Sequence, residues 1–462
     1  MADSHTSVGV PEIPENIFDV ESNIWPLNTK RLGSGEIEIG DVPVSKLVGE
    51  YGTPLFVIDE QDVRVRARNY VAAYDTIEVP TDVYYAAKAF LTTTVAKWLV
   101  AEGLSIDVCT SGELEVALRA GVDPARILFH GNNKSTTELE RAVSVGVGRV
   151  VVDSLVEIQR LNQIAAVHGV TQQVLIRLTV GVEAHTHEFI ATAHEDQKFG
   201  LSVSSGAALA AAEAVIGAEA LSLLGLHSHI GSQIFDAAGF EVAAHRVVDF
   251  ASSIRDKFDF TVTELNLGGG MGIAYVDGDD PLDIQTMANA IHQILITECA
   301  RVHLPLPRLA VEPGRAIIGS AGITIYEVGT VKAVDLDAGA QRRYISVDGG
   351  MSDNIRTALY DAQYTVTMAS RQTSSVLSLS RVVGKHCESG DIVVKDAWLP
   401  ADVVPGDFLA VAATGAYCRA MASNYNYIAR PAVVSVSEGT SQILLRRETL
   451  EDLLTLDPGA NS

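Results

Sequence analysis

The chain has 462 residues, of which 47% are hydrophobic and 20% are charged, so its composition is typical of a globular protein long enough for two domains. Its formal net charge of −24 at pH 7 argues against nucleic acid and anionic membranes as partners, because both bind basic surfaces. The charge does not exclude a small acidic ligand, since a binding site inside an acidic protein can be locally positive.

The cysteines and the N-terminus together indicate a cytoplasmic protein. The 4 cysteines are scattered along the chain with no C-x-x-C pair, which fits neither a disulfide framework nor a zinc site. Residues 1–15 are polar and acidic, and no run of about 18 uncharged apolar residues occurs. We therefore expect no secretory signal, no membrane span and a location in the reducing cytoplasm.

The N-terminal segment is predicted to begin as a loose tail over residues 1–25. Residues 35–39 then alternate between apolar and polar side chains, as a strand does. Residues 44–51 are predicted to form a short helix, since Pro43 is tolerated at the start of a first helical turn. Two further elements follow, a buried strand and a polar helix, at residues 55–59 and 60–74.

Between residues 83 and 311 the chain alternates between short apolar runs and helix-like segments such as 155–168. The apolar runs are predicted strands, at residues 83–87, 104–108, 127–130, 150–153, 174–178, 223–227, 265–267 and 309–311. Strands that alternate with helices pair in parallel, and eight of them close a (β/α)8 barrel of the TIM type. An open doubly wound sheet is ranked second, because candidate chemical residues follow many strands rather than one switch point.

From about residue 320 the pattern changes to strands separated by turns, with few helical segments. The predicted strands lie at residues 323–334, 343–347, 364–368, 375–383, 391–397, 408–412 and 432–436. Such a run of strands predicts a separate C-terminal β-rich domain. We therefore expect three parts: a tail and a segment joining the β domain, the barrel, and the β domain itself, at residues 1–54, 55–320 and 321–462.

A single lysine, Lys88, follows the first predicted barrel strand. A lysine carried from a strand end into a mostly apolar setting loses solvation, which lowers its pKa and favours the neutral amine. A neutral amine is the nucleophile that forms a Schiff base with an aldehyde. The alternative interpretation is an ordinary surface lysine at the end of a strand.

Other chemical residues follow later strands and, in a barrel, face the same pocket. His130 follows the third strand, and residues 227–233, 268–272 and 312–315 follow the sixth, seventh and eighth. The glycines at 268–270 let backbone N–H groups approach a phosphate, although tight turns also use glycine. A dinucleotide site is a weaker interpretation, because no βαβ unit with a ribose-binding acid follows at the usual distance.

Six motifs, taken together and in this order, resemble one family, the PLP-dependent decarboxylases of the alanine-racemase-like fold. They are Tyr85-Ala86-Ala87-Lys88-Ala89, residues 227–233, Gly268-Gly269-Gly270, Glu312-Pro313-Gly314-Arg315, Cys387-Glu388-Ser389-Gly390-Asp391 and Gly415-Ala416-Tyr417. The resemblance extends from about residue 52 to residue 430 and implies pyridoxal 5'-phosphate as the cofactor.

The resemblance also implies a role for individual residues. Lys88 corresponds to the lysine bound to the aldehyde of the cofactor, and His229 to the histidine that stacks on its ring, although a satisfied core histidine is an equally simple interpretation. Glu312 corresponds to the carboxylate that keeps the ring nitrogen protonated, which strengthens the ring as an electron sink and favours decarboxylation over racemisation. The remaining implied cofactor contacts are Ser232, Gly268, Gly269, Gly270, Gly314, Arg315 and Tyr417.

For the substrate, the resemblance implies meso-2,6-diaminopimelate, which would yield L-lysine and CO2 in the last step of lysine biosynthesis. Cys387 corresponds to the donor of a proton to Cα, although a buried structural thiol is its simpler interpretation. The implied substrate contacts are two arginines for the distal carboxylate, two tyrosine hydroxyls and one acid for the distal ammonium: Arg315, Arg356, Tyr360, Tyr417 and Glu388. The family's β domain completes the site of a neighbouring subunit, so a homodimer with shared active sites is implied.

Two other functions and one metal site are weighed against this hypothesis. The same fold also serves decarboxylases of ornithine, arginine or related basic amino acids, which have no distal carboxylate to bind. A non-catalytic PLP-binding or regulatory protein is the second alternative, but the presence of both Lys88 and Cys387 argues against it. No metal is expected at the polar loop with His185, His187 and His194, because the resemblance implies a metal-free loop of this composition.

Overall fold

The computed structural model describes residues 13, 16–75, 79–181, 197–336 and 341–461. The chain divides into two compact units. The first, called the barrel unit, comprises the described parts of Val63–Ile273 and Asp280–Ile318. The second, called the β unit, comprises the described parts of Met1–Asp62, Ala274–Asp279 and Gly319–Ser462.

The first elements form a small antiparallel sheet followed by a helix, a strand and a second helix. They are β1 (Thr29–Arg31), β2 (Ile37–Ile39), β3 (Val42–Pro43), α1 (Val44–Tyr51), β4 (Leu55–Asp59) and α2 (Glu60–Asp75). Every residue of β4 is buried, which fits its apolar sequence. Asp59 at its end accepts hydrogen bonds from the backbone and the side chain of Asn28, and these bonds tie the N-terminal segment to the β unit.

The barrel unit contains parallel strands separated by helices. The strands are β5 (Thr81–Ala86), β6 (Ser105–Val108), β7 (Ile127–Phe129), β8 (Arg149–Val152), β9 (Gln172–Thr179), β10 (Leu201–Ser202), β11 (Leu221–Ser228), β12 (Glu264–Asn266) and β13 (Arg308–Val311). The helices are α3 (Thr93–Ala101), α4 (Ser111–Arg119), α5 (Thr136–Val145), α6 (Leu155–His168), α7 (Ala207–Ile216), α8 (Ala238–Phe258), α9 (Ile284–Arg301) and α10 (Arg315–Ile318).

Eight of these strands close into a barrel, and the two-residue β10 pairs with the end of β9. The ring closes where β13 pairs with β5 and where β8 pairs with β9. Inside it, side chains from different strands form a buried cluster that includes Tyr84, Leu128 and Leu175. Local sequence sets the helix starts, because residues such as Ser135 and Ser154 cap α5 and α6 with their hydroxyls.

The β unit is completed by the C-terminal third of the chain. Its elements are β14 (Gly322–Asp335), β15 (Gln341–Val347), α11 (Arg356–Tyr360), β16 (Val366–Met368), β17 (Leu377–Val383), β18 (Ile392–Pro400), β19 (Phe408–Val411), β20 (Ala432–Ser437), β21 (Thr440–Leu445) and α12 (Leu450–Leu454). The main sheet has the order β18-β17-β15-β14-β4-β20-β21, and β19 also pairs with β14. The predicted fold class, a TIM-type barrel plus a C-terminal β-rich domain, is therefore confirmed.

One strand lies in a different sheet from the one its position in the chain suggested. We assigned residues 55–320 to the barrel, but β4 pairs with β14 on one side and β20 on the other, within the β unit. A five-residue apolar strand buried on both faces fits either sheet equally well, so its sequence could not decide between them.

Among the helices that the structure describes, none is long and apolar enough to cross a membrane.

Candidate active site

The carboxyl ends of the barrel strands surround a cavity of about 770 Å³. Side chains from six strand ends line it, which is the usual location of a site in a (β/α)8 barrel. They are Lys88, Asp107, His130, Arg177, His227 and Glu312. The cavity also contacts His229 and Gly231, so the residues predicted from the first, third, sixth and eighth strands meet at one place.

Lys88 lies in a 3₁₀ turn, Ala87–Ala89, directly after β5. Ala87 and Ala89 are buried, and the Tyr85 hydroxyl donates a hydrogen bond of 2.7 Å to the Phe90 carbonyl, so the turn is held on both sides. The Lys88 side chain itself is exposed to the cavity. The predicted apolar setting is therefore incomplete, because the neighbouring strands bring charged groups such as Asp107 and Glu312 to this end of the barrel beside apolar residues such as Phe199 and Ile230.

Glu312, immediately after β13, is the most tightly bonded carboxylate in the cavity. Its Oε1 accepts hydrogen bonds of 2.8 Å from Asn266 Nδ2 and from His130 Nε2, and its Oε2 lies 3.3 Å from His227 Nε2. Burial raises the pKa of this carboxyl, but His130 and His227 outweigh burial and hold the pKa well below its usual range. Glu312 is therefore an anion at neutral pH, although it is buried and only 7% exposed.

Two histidines beside this acid are neutral at neutral pH. Burial lowers the pKa of His227 to about 4, and burial together with the positive charge of Lys88 lowers the pKa of His229 well below its usual value. The Gly269 amide lies 3.4 Å from His229 Nδ1, which orients the imidazole ring. Burial raises the pKa of Asp107 at the end of β6, so the cavity holds carboxyl groups of different acidity.

The triple glycine after β12 is required by close packing of the backbone. A Cβ on Gly269 would lie 2.1 Å from the Glu312 carbonyl oxygen, and one on Gly270, where φ is 104°, would lie 2.4 Å from the Gly231 carbonyl oxygen. The Gly268 carbonyl accepts a 2.9 Å hydrogen bond from the Glu312 amide. The turn is thereby fixed beside the acid.

The other predicted barrel residues lie at the start of α10 or, like Ser232 after β11, contact it. Arg315 is its first residue, and its Nη2 donates a 2.8 Å hydrogen bond to the Ser232 hydroxyl. Gly314 packs against β5, the first strand of the barrel, because a Cβ at Gly314 would lie 3.0 Å from the Cβ of Ala86. Ser232 and Arg315, predicted from two separate motifs, are thus brought into contact.

In the β unit, the predicted residues Cys387 and Glu388 lie on the loop between β17 and β18, and both are exposed. The Asp391 carboxylate accepts hydrogen bonds from the amides of Met351 and His386, at 2.6 and 2.7 Å. These bonds clamp the base of the loop. The exposure of Cys387 rules out the alternative that it is a buried structural thiol.

His386 supports the same loop from the other side. Its ring lies 2.8 Å from Ser352 Oγ and 2.9 Å from Asn426 Oδ1, and it stacks on Tyr425 with 5.1 Å between ring centroids. A cavity of about 500 Å³ lies beside the loop and is lined by Met351, Ile355, Glu388, Ser423 and Tyr425. An exposed thiol and an exposed acid are therefore presented on a loop that borders this cavity.

The remaining predicted residues of the β unit differ in exposure. Arg356, the first residue of α11, is buried, whereas Tyr360 at its end is exposed. Tyr417 has a φ of 60°, which residues other than glycine rarely adopt and which is often found at functional sites. The histidines considered for a metal, His185, His187 and His194, lie outside the described residues.

Sequence reasoning missed several polar residues around the cavity, three of which lie near strand ends. Asp107 and Arg177 line it, and Asn266 bonds to Glu312. All three lie near the carboxyl ends of predicted strands, so the rule that found Lys88 and Glu312 could have found them. They were missed because none belongs to a motif that stands out in a single sequence.

The chain is similar to known proteins over nearly its whole length. Residues 60–319 match the family model described as "Pyridoxal-dependent decarboxylase, pyridoxal binding domain". The chain is 57% identical over 447 residues to the diaminopimelate decarboxylase of Mycobacterium leprae, covering 96% of this chain and 94% of that protein. It is 50% identical over 459 residues to that of Corynebacterium efficiens, covering 98% and 99%.

A solved structure agrees with these sequence relatives. The crystal structure of diaminopimelate decarboxylase from M. jannaschii in complex with L-lysine matches with a TM-score of 0.86 and 29% sequence identity. The match covers 93% of this chain and 98% of that one, so it includes both units.

Proposed function

The chain belongs to the diaminopimelate decarboxylase family of pyridoxal-dependent decarboxylases, and from this premise we propose that it converts meso-2,6-diaminopimelate to L-lysine and CO2. The observation that carries the proposal is the identity of 57% over 96% of the chain with a relative of that name. The reaction would be the last step of lysine biosynthesis. L-lysine in the M. jannaschii complex supports the same assignment, because decarboxylation of one end of diaminopimelate leaves lysine.

The described cavity fits pyridoxal phosphate. Lys88 offers an amine for the aldehyde, Glu312 offers an anion for the ring nitrogen, and the neutral imidazole of His229 can pack on the ring face. Gly268, Gly269 and Gly270 are proposed to bring backbone close to the phosphate, and a Cβ at the latter two would clash with neighbouring carbonyl oxygens, so this tight turn needs glycine. Ser232, Gly314, Arg315 and Tyr417 are proposed as further contacts. When bound, the cofactor accepts the electron pair that remains at Cα as CO2 departs.

Glu312 contributes by staying ionised. His130, His227 and Asn266 donate hydrogen bonds to both of its oxygens, which stabilises the carboxylate against protonation despite its burial. A carboxylate at this position would keep a proton on the ring nitrogen of bound pyridoxal phosphate. This proton favours loss of CO2, since it stabilises negative charge that develops next to the ring.

Cys387 is proposed to donate the proton that replaces CO2 at Cα. Its exposed thiol lies on a loop clamped by Asp391 and His386, so the donor is held without being buried. Glu388, next in the chain, is proposed to bind the distal ammonium of the substrate. The distal carboxylate is assigned to Arg315 and Arg356, with Tyr360 and Tyr417 as hydroxyl contacts.

We also propose that the protein works as a homodimer with shared active sites in the cytoplasm. The exposed thiol and acid on the loop between β17 and β18, together with the exposed Leu359, Tyr360 and Tyr427 of the same unit, support a subunit interface that involves the β unit. None of the 4 cysteines, all of which the structure describes, forms a disulfide, which supports a reducing compartment.

A decarboxylase of ornithine or arginine would need no buried arginine for a distal carboxylate, and Arg356 separates the two proposals. In Arg356→Ala, we expect the KM for meso-diaminopimelate to rise by roughly 50-fold, because a charge-assisted bidentate contact is lost. Any slow turnover of L-ornithine, which lacks that carboxylate, should change little. Steady-state kinetics with both substrates measure this. Arg356→Lys keeps the charge but not the bidentate geometry, so its KM for meso-diaminopimelate should lie between those of the wild type and Arg356→Ala. A parallel loss with both substrates would contradict the assignment.

A further inference from the structure

Arg356 is buried in an unusual environment within the β unit. The residue is 6% exposed, and its guanidinium carbon lies 5.0 Å from the ring centroid of Tyr275 and 5.7 Å from that of Tyr364. The two tyrosine rings meet edge to face, with 5.3 Å between centroids and an interplanar angle of 86°. Two aromatic side chains therefore enclose this cation.

Within the described residues, the hydrogen bonds of the Arg356 side chain all involve one nitrogen of its guanidinium. Nη1 donates to the Tyr275 hydroxyl at 3.0 Å and to the Tyr364 hydroxyl at 2.5 Å. Nη1 carries two protons, so these bonds use both of them. Among the residues that the structure describes, no acceptor bonds to Nε or Nη2 and no carboxylate pairs with Arg356. The Nε–Nη2 edge, which matches a carboxylate with two parallel N–H groups, is thus available.

The partners of the Arg356 guanidinium are neutral hydroxyls, and they leave its positive charge uncompensated. A carboxylate beside Arg356 would neutralise its charge and occupy its donors, whereas phenol hydroxyls solvate the cation and leave its charge intact. A buried cation without a counter-charge is costly, and ordinary packing does not require one. Such an environment is expected where an anionic ligand supplies the missing charge.

The two tyrosines are themselves fixed in place. The Tyr275 carbonyl accepts hydrogen bonds from the backbone amide and the hydroxyl of Thr365, at 3.2 and 2.9 Å. The Tyr364 hydroxyl lies 3.6 Å from the Cys418 sulfur, and both of these side chains are buried. The hydroxyls can therefore hold Nη1 in one orientation with little loss of side-chain entropy on binding.

We propose that Tyr275 and Tyr364 are positioning residues that fix the Nη1 side of Arg356, so that its Nε–Nη2 edge binds the distal carboxylate of the substrate. The pair would thereby favour diaminopimelate over basic amino acids that lack this group. The inference rests on the proposed function. The product also carries the recognised group, since L-lysine retains the distal carboxylate after the other one has left as CO2.

The test uses the holoenzyme and removes single hydroxyl groups. In Tyr364→Phe and in Tyr275→Phe we expect the KM for meso-diaminopimelate to rise by about 10-fold, with kcat changed by less than about 2-fold. The Kd for L-lysine should rise by a similar factor, whereas the Kd for 1,5-diaminopentane, which lacks the carboxylate, should not change. Tyr326→Phe is the matched control, because Tyr326 is buried and its hydroxyl has no hydrogen-bond partner in the described part of the chain.

A double-mutant cycle separates positioning from a structural role. In an Arg356→Ala background, Tyr364→Phe should add no further increase in KM or in the Kd for L-lysine, since it acts through Arg356. An equal increase in both backgrounds, or unchanged affinity for L-lysine in both tyrosine variants, would overturn the inference. Weaker binding of 1,5-diaminopentane by the same factor would also overturn it, because the loss would then be general. Failure of the proposed function is visible separately, as a wild-type enzyme that releases no CO2 from diaminopimelate.

Discussion

Replacing Lys88 with alanine is expected to lower turnover by more than about 10⁴-fold and to remove the absorbance band of the covalently bound cofactor. The expected loss is large because the amine both anchors the aldehyde and gives it up to the substrate. Lys88 lines the cavity that also holds Glu312 and His229, which is where such an amine is needed. Absorbance spectra of the purified variant with added pyridoxal phosphate, together with its kcat, measure the effect.

A lysine on the neighbouring helix provides the control for this experiment. Lys97 is an exposed residue of α3, and Lys97→Ala should keep both the absorbance band and the activity. Borohydride reduction followed by peptide mapping identifies the modified lysine in the wild-type protein. Retention of the band in Lys88→Ala, or a modified peptide that contains another lysine, would reject the assignment of Lys88.

Replacing Cys387 with alanine is expected to slow turnover by about 10³-fold while the cofactor remains bound. The reason is that the variant lacks the group proposed to protonate Cα, whereas the cavity residues around the cofactor are unchanged. Pre-steady-state release of CO2 should be less affected than formation of L-lysine, because the proton is delivered after CO2 leaves. Cys299→Ala, on α9 in the barrel unit, is the matched control. Unchanged turnover in Cys387→Ala would reject the role of proton donor.

Mixing the two inactive variants tests whether subunits share active sites. If Cys387 serves the site that contains Lys88 of the neighbouring subunit, a dimer of one Lys88→Ala and one Cys387→Ala subunit has one intact site. Random reassortment makes half of the dimers mixed, so the mixture should regain about one quarter of wild-type activity. The activity is measured after mild dissociation and reassociation. A reassociated mixture that contains mixed dimers yet stays inactive would contradict the shared site.

Much of the barrel could be predicted from the sequence because its local signals agree with its packing. The helix Leu155–His168 has Ser154 as an N-cap and Gly169 in a left-handed conformation after its end, and both signals are visible in the chain. Short features had no such signals. The strand β10 has two residues, too few for any periodicity, and the sheet that contains β4 is decided by pairings with β14 and β20 far along the chain.

Residues of the candidate site could be predicted where they directly follow a predicted strand. They could not be predicted where their surroundings depend on packing between distant parts of the chain. Lys88 and Glu312 follow strands, but the charged groups near Lys88 come from other strands and could not be expected from its own segment. The contact of Arg356 with Tyr275 joins residues 81 positions apart, on elements that no local pattern connects. Such contacts arise from tertiary structure alone.

The most direct test of the account is to incubate the holoenzyme with meso-2,6-diaminopimelate and to measure CO2 and L-lysine in the same reaction. We predict equal amounts of the two products, dependence on pyridoxal phosphate, and little CO2 from L-ornithine or L-arginine under the same conditions. Release of CO2 from ornithine or arginine but not from diaminopimelate, or no release from any of the three, would contradict it.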